Sequence, residues 1–139
     1  MPGEELTRER CLELLGREEV GRLAVVVGGR PDIMPVNYLL DGEGVVIRTA
    51  EGTKLRAASG APVAFEIDGL DRYRRIGWSV VVHGIAHEVT TLGWEELAAR
   101  LEALPIDSWA GGDKPYIIRI APISITGRRV GPADTDPVT

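Results

Sequence analysis

The stretch from Trp78 to Val89, WSVVVHGIAHEV, carries the longest β signal in the chain, and it is broken near its middle by Gly84. A glycine weakens a strand interior and there marks a bulge or sharp bend. A long strand bent in this way is expected to curl round a barrel.

From Thr7 to Leu15 the apolar residues Cys11, Leu12, Leu14 and Leu15 fall near helical spacing behind a capping threonine. Arg22 to Val27, the turn Gly28-Gly29-Arg30 and Ile33 to Leu40 read as a hairpin. The turn Asp41-Gly42-Glu43-Gly44 then leads into a third strand, Val45 to Thr49. Such short links predict an antiparallel meander. Thr53 to Ala58 is a brief helical segment, and Val63 to Ile67 a strand with Val63, Phe65 and Ile67 on its core side. Asp68 to Gly77 is expected to be an exposed loop. Leu92, Leu97, Leu101 and Leu104 mark a helix that ends at Pro105 and covers one barrel mouth. Trp109 lies in the glycine-containing loop Asp107 to Lys114, and Tyr116 to Ile120 and Ile123 to Val130 read as two last strands parted by Ala121-Pro122. The expectation is a mainly β fold, a partly closed antiparallel barrel of six or seven strands with few helices. Residues 1–130 form one domain and 131–139 a flexible tail.

A chain of 139 residues suits one domain with a real core. Its formal net charge of −5 argues against a nucleic-acid scaffold, which needs a clustered positive surface. The only cysteine, Cys11, leaves no intramolecular disulfide and no thiolate cluster, which favours a reducing, cytoplasmic setting. The start of the chain lacks a signal-peptide layout and no apolar run approaches membrane-spanning length, so a soluble protein is expected.

The segment Val45-Val46-Ile47-Arg48-Thr49-Ala50-Glu51-Gly52-Thr53-Lys54-Leu55 delivers Arg48 and Thr49 from a strand end into a glycine-containing turn that opens a helix with Thr53 and Lys54. Free amides at a helix start, two hydroxyls and two cations suit a phosphate dianion. An ordinary hairpin-to-helix corner with solvated charges has the same composition.

The succession Ile33-Met34-Pro35-Val36-Asn37-Tyr38, a strand ending Arg48-Thr49, then Gly52-Thr53-Lys54-Leu55, then Gly77-Trp78-Ser79-Val80-Val81-Val82-His83-Gly84, resembles the flavin-binding core of the pyridoxamine 5′-phosphate oxidase-like split β-barrel superfamily. The similarity is greatest to its short actinobacterial-style and nitroimidazole-resistance-like members and runs from about Leu12 to Val130. The resemblance implies FMN at the interface of a homodimer, its phosphate held by Arg48, Thr49, Thr53 and Lys54. It implies a flavin ring along Met34, Pro35, Val36 and Asn37, with Trp78 and Ser79 completing the pocket and Trp109 approaching from the partner subunit. The chain departs from the vitamin-processing oxidases in lacking their extended basic segments. Its last strand also ends differently, in Arg128-Arg129-Val130, a pair that meets either an anionic ligand or solvent.

The implied activity is that of an FMN-dependent oxidoreductase acting on a small planar substrate, with deazaflavin as a variant cofactor. The alternative is a flavin- or haem-binding protein without turnover, for which His83 or His87 would be an axial ligand. Four residues apart on one strand, those two histidines are too distant to chelate one metal ion without a bend at Gly84. Cys11 reads as a buried structural thiol. A barrel whose groove has decayed to an interaction surface is the remaining possibility.

Overall fold

The computed structural model describes residues 3–49, 57–89, 95–102 and 116–132. Thr7 caps helix α1 (Arg8–Arg17), its hydroxyl accepting the Arg10 N–H at 3.1 Å. The 3.6-residue period then turns Cys11, Leu14 and Leu15 inward, and all three are buried. Ahead of the helix, β1 (Glu4–Leu6) pairs with the far end of the last strand.

The remaining strands are β2 (Val20–Val27), β3 (Arg30–Asn37), β4 (Leu39–Asp41), β5 (Gly44–Thr49), β6 (Pro62–Asp71), β7 (Ile76–Val89) and β8 (Tyr116–Val130). A second helix, α2 (Glu95–Glu102), precedes β8 and lies against β5. All pairings are antiparallel, in the order β3-β2-β6-β7-β8-β5-β4 with β1 added on β8. Gly28 and Gly29, both at positive φ (61° and 76°), make the two-residue turn of the β2–β3 hairpin. β3, at one end of the path, comes alongside β5, the strand next to the other end, without pairing to it. The sheet is therefore a split barrel.

The inner face follows the alternation of the sequence. Leu23 and Val25 of β2, Val63, Phe65 and Ile67 of β6, Val80 and Val82 of β7 and Ile118, Ile120 and Ile125 of β8 are buried with Cys11, Leu14 and Leu15 of α1. Burying each large side chain stabilises the fold by roughly 1.5–3 kcal/mol. On the outer face, Val46 and Ile117 form a second buried pair with Leu39 and Val89 packed against them.

The bend expected at Gly84 is present as a register shift between His83 and Gly84. A Cβ there would stand 2.3 Å from the Ala121 carbonyl oxygen, so only glycine permits this approach of β7 to β8. Four expectations need correction. Asp68 to Gly77 is the end of a long hairpin, because the β6–β7 ladder continues to Asp71 and Ile76 and only residues 72–75 form the turn. Ala121-Pro122 does not end a strand: the irregularity at Gly84 absorbs the proline, and β8 runs on from Tyr116 to Val130. Ile33 to Leu40 is interrupted at Tyr38, which breaks the meander and sends the chain from β2 to a pairing with β5. Finally, β1 is a strand the sequence reading did not contain. No helix among the described residues is long and apolar enough to cross a membrane.

Candidate functional site

The break at Tyr38 positions the site. Its side chain turns inward, is fully buried, donates to the Leu15 carbonyl at 2.5 Å and meets Phe65 edge-on at 4.8 Å between ring centroids. Asn37, one residue earlier, closes the β2–β3 ladder opposite Val20, and Leu39, one residue later, opens the β4–β5 ladder opposite Val46. Carrying the second register back two residues sets Asn37 opposite Arg48, on the outer side of the barrel. There β3 and β5 run side by side with no ladder between them.

Of the residues singled out in the sequence, Met34, Pro35, Val36 and Asn37 lie on β3 and Arg48 and Thr49 end β5, the two strands that come alongside each other at this split. Met34 and Val36 turn inward and pack on the core, while Pro35 is exposed. Asn37 and Thr49 are buried polar residues, and Arg48 is half-buried at the end of β5. As an edge strand, β3 keeps one row of backbone groups unclaimed by the sheet, carbonyls together with the amides of residues other than Pro31 and Pro35, and such groups suit hydrogen bonding to a planar heterocycle. The hydroxyl, amide and guanidinium at its end suit an anion beside that ring. These residues fit a flavin phosphate and ring edge. Thr53, Lys54 and Trp109 lie outside the described residues.

Trp78 and Ser79 stand elsewhere. Ser79 pairs with Asp68 on one side and Arg128 on the other, three strands from β3 along the sheet. In a barrel closed between β3 and β5, that is about half-way round, and about 14 Å across the strands at the usual spacing. In the other direction, the β8 partners of Ser79 and Arg48 are Arg128 and Ile117, separated by roughly 35 Å of extended chain. A single chain does not bring Trp78 and Ser79 to the Asn37–Arg48 cluster.

Trp78, Ser79 and Arg128 instead line an open groove of ≈ 470 Å³ with Gly69, Gly77 and Gly3. Sequence reasoning named Arg128 without assigning it and did not find the groove. Its signal was the glycine pair Gly69 and Gly77 around a charged turn. His83 and His87 are both exposed, and no three His, Cys, Asp or Glu residues cluster at metal-binding distance among the described residues.

The profile of the pyridoxamine 5′-phosphate oxidase family matches residues 7–129. The chain belongs to that family. Among its relatives is an uncharacterised protein of Mycobacterium tuberculosis, 36% identical over 132 residues, covering 91% of this chain and 84% of the relative. A solved structure described as an FAD-binding protein from Mycobacterium smegmatis superposes with a TM-score of 0.75 at 35% identity, covering 91% of this chain and 98% of that one. Another, an FAD-binding protein from Mesorhizobium loti, gives 0.77 at 25% identity, covering 94% and 100%. The pyridoxamine 5′-phosphate oxidase family is thus shown by sequence as well as by fold, and similar structures in it include flavin-binding proteins.

Proposed function

We propose that this member of the pyridoxamine 5′-phosphate oxidase family is a flavin-dependent oxidoreductase acting on a small planar substrate, working as a homodimer in a reducing, cytoplasmic setting. The observation that carries the reading is the convergence of the β3 edge, ending at Asn37, on Arg48 and Thr49 at the split of the barrel. Arg48 and Thr49, with Thr53 and Lys54 beyond the described residues, hold the cofactor phosphate. Met34 to Asn37 present the edge-strand backbone to the ring. The bound flavin supplies the redox chemistry, and the protein binds it, orients it and limits solvent access.

The dimer is supported by the separation just described. Trp78 and Ser79 reach a cofactor seated at the β3–β5 split only from a second copy, with Trp109 of that copy approaching the same place. The outer face of β2 and β3 carries exposed apolar residues, Ile33 at 68% and Val26 at 60% exposure among them, suited to cover by a partner.

The cofactor is FMN in this reading. FAD is the flavin in the M. smegmatis and M. loti relatives, and deazaflavin would use the same groove. The alternative of haem without turnover places its ligand at His83 or His87.

The test is to purify the chain without added cofactor, record its visible spectrum, and titrate FMN, FAD, deazaflavin and haem separately. Saturable binding of one flavin per chain supports the reading. Haem binding alone, or no binding, overturns it.

A further inference from the structure

The β6–β7 hairpin outruns the strands on either side of it. Continuing the β2–β6 register sets Val20, the first residue of β2, opposite Asp68, so Gly69, Leu70 and Asp71 extend past it. On the other side β8 ends at Val130, opposite Gly77. The turn, residues 72–75, stands beyond both.

This tip reads Asp71-Arg72-Tyr73-Arg74-Arg75, three arginines beside one aspartate in a chain of net charge −5. The aspartate belongs to the turn: Asp71 Oδ1 accepts the Arg74 N–H at 2.9 Å, and Oδ2 lies 3.9 Å from the Arg74 guanidinium. Arg72 and Arg75 are exposed and have no ion-pair partner among the described residues. Arg75 holds a left-handed φ of 57°, where glycine or asparagine closes a turn more readily, so a cation occupies a position that folding alone gives to another residue. Apolar groups accompany the charge. Tyr73 is 97% exposed and Leu70 70%, and the side chains of Leu70 and Val130 converge over Gly77.

We propose that the hairpin tip is a peripheral docking element for an anionic lipid surface. Guanidinium groups bind phosphate oxygens in pairs, and arginine stems and a tyrosine ring both suit the boundary between headgroups and acyl chains. The shape of the tip favours lipid over a folded partner. A convex turn with an aromatic ring bare on nearly every side is enveloped by headgroups that move aside for it, whereas a protein would need a cleft of matching form. The rest of the molecule, being acidic, is repelled by the same surface, so contact is confined to the tip and the hairpin points toward the lipid. With three cations and few apolar groups the contact is weak and reversible, and the protein stays soluble away from it. This docking is independent of the flavin reading.

The experiment is co-sedimentation of the purified full-length protein with vesicles of phosphatidylcholine and phosphatidylglycerol in equal parts, at low and at high salt. Vesicles of phosphatidylcholine alone are the neutral control. Binding is expected to the anionic vesicles only, and to weaken with salt. The variant Arg72→Ala/Arg75→Gly is expected to bind about twenty-five-fold more weakly, about fivefold for each arginine. Its melting temperature should be no lower than that of the wild type, because glycine suits the backbone at that position. Tyr73→Ala is expected to weaken binding to the same degree at both salt concentrations, since the ring acts without charge. Arg30→Ala removes an exposed cation at the β2–β3 turn and is expected to leave binding unchanged. No binding to the anionic vesicles overturns the proposal, as does a loss in Arg30→Ala equal to that in the tip variant. Retention on immobilised polyglutamate that the tip variant loses, without any vesicle binding, also overturns it and assigns the tip to an acidic protein.

Discussion

The hydroxyl of Tyr38 donates to the carbonyl oxygen of Leu15 at 2.5 Å, tying the corner between β3 and β4 to the last turns of α1. Both residues are fully buried, so the Leu15 carbonyl has no solvent to turn to. Tyr38→Phe keeps the ring contact with Phe65 and removes only the donor, and is expected to lower stability by about 1–3 kcal/mol in urea unfolding. An unchanged midpoint would show that the bond contributes nothing. Burial, with Glu18 adding to it, pushes the Tyr38 phenol well above its ordinary range. A raised folded-state value means the contribution is complete below the unfolded pKa and is lost as pH rises. Wild-type stability should therefore decline above about pH 10, with a component of the slope missing in Tyr38→Phe.

Arg48 is the described cation at the β3–β5 split. Arg48→Ala should weaken flavin binding by about 1.5–3 kcal/mol, the range for a charge-assisted hydrogen bond, while the far-ultraviolet circular dichroism stays the same. Fluorescence titration with FMN and FAD measures it. Equal affinities would remove Arg48 from the phosphate site.

Ser79 and Arg48 lie on opposite sides of one barrel, so in the proposed homodimer a shared cofactor site would take one of them from each copy. Arg48→Ala and a Trp78→Ala/Ser79→Ala variant should each bind flavin poorly alone. Co-expressed, they form hybrids in which one site carries both lesions and the other none, restoring about a quarter of all sites if the copies assort at random. Flavin content of the co-purified protein reads this directly, and no recovery would mean that the site is built within one chain.

Glu66 sits 3.0 Å from Arg22 on the outer face, which suggests a stabilising ion pair. Desolvation first, and then Asp68 beside it, nevertheless raise the Glu66 carboxyl above its usual range. Ionised Glu66 is thus less at ease in the folded protein than in the unfolded chain, and its favourable contribution is lost as pH rises through the folded value. Glu66→Gln should leave the melting temperature at pH 7 unchanged or slightly raised. A clear drop would show that the pair with Arg22 outweighs the crowding by Asp68.

Much of this was legible along the chain because local chemistry decided it. Thr7 reads as a cap and caps, Gly84 reads as a bend and bends, and the alternation of Val63, Phe65 and Ile67 marks the inner face. What was hidden depends on partners distant in sequence. Nothing near Glu4 announces a strand, since its partner Arg129 lies at the other end of the chain. Tyr38 looks like one more residue of a β run, and only its pull toward Leu15 and Phe65 turns it into the corner that parts β3 from β4. The pairing of Arg48 with Thr49 at the end of a strand was visible because the two are consecutive. The distance of Trp78 and Ser79 from that corner was not, because it depends on strand order.

β8 is the last strand to be made, and it is the neighbour of β7, β5 and β1. A chain emerging from the ribosome therefore has every other wall of the barrel before it has the one that joins them. Closure also pairs residues at the two extremes of the sequence, a topology of high contact order that sets folding in the slower, millisecond-to-second regime. Until Val130 is free, three strands keep open edges, each a template for pairing with another nascent copy. The same strand that completes the fold thus covers all three of those edges at once.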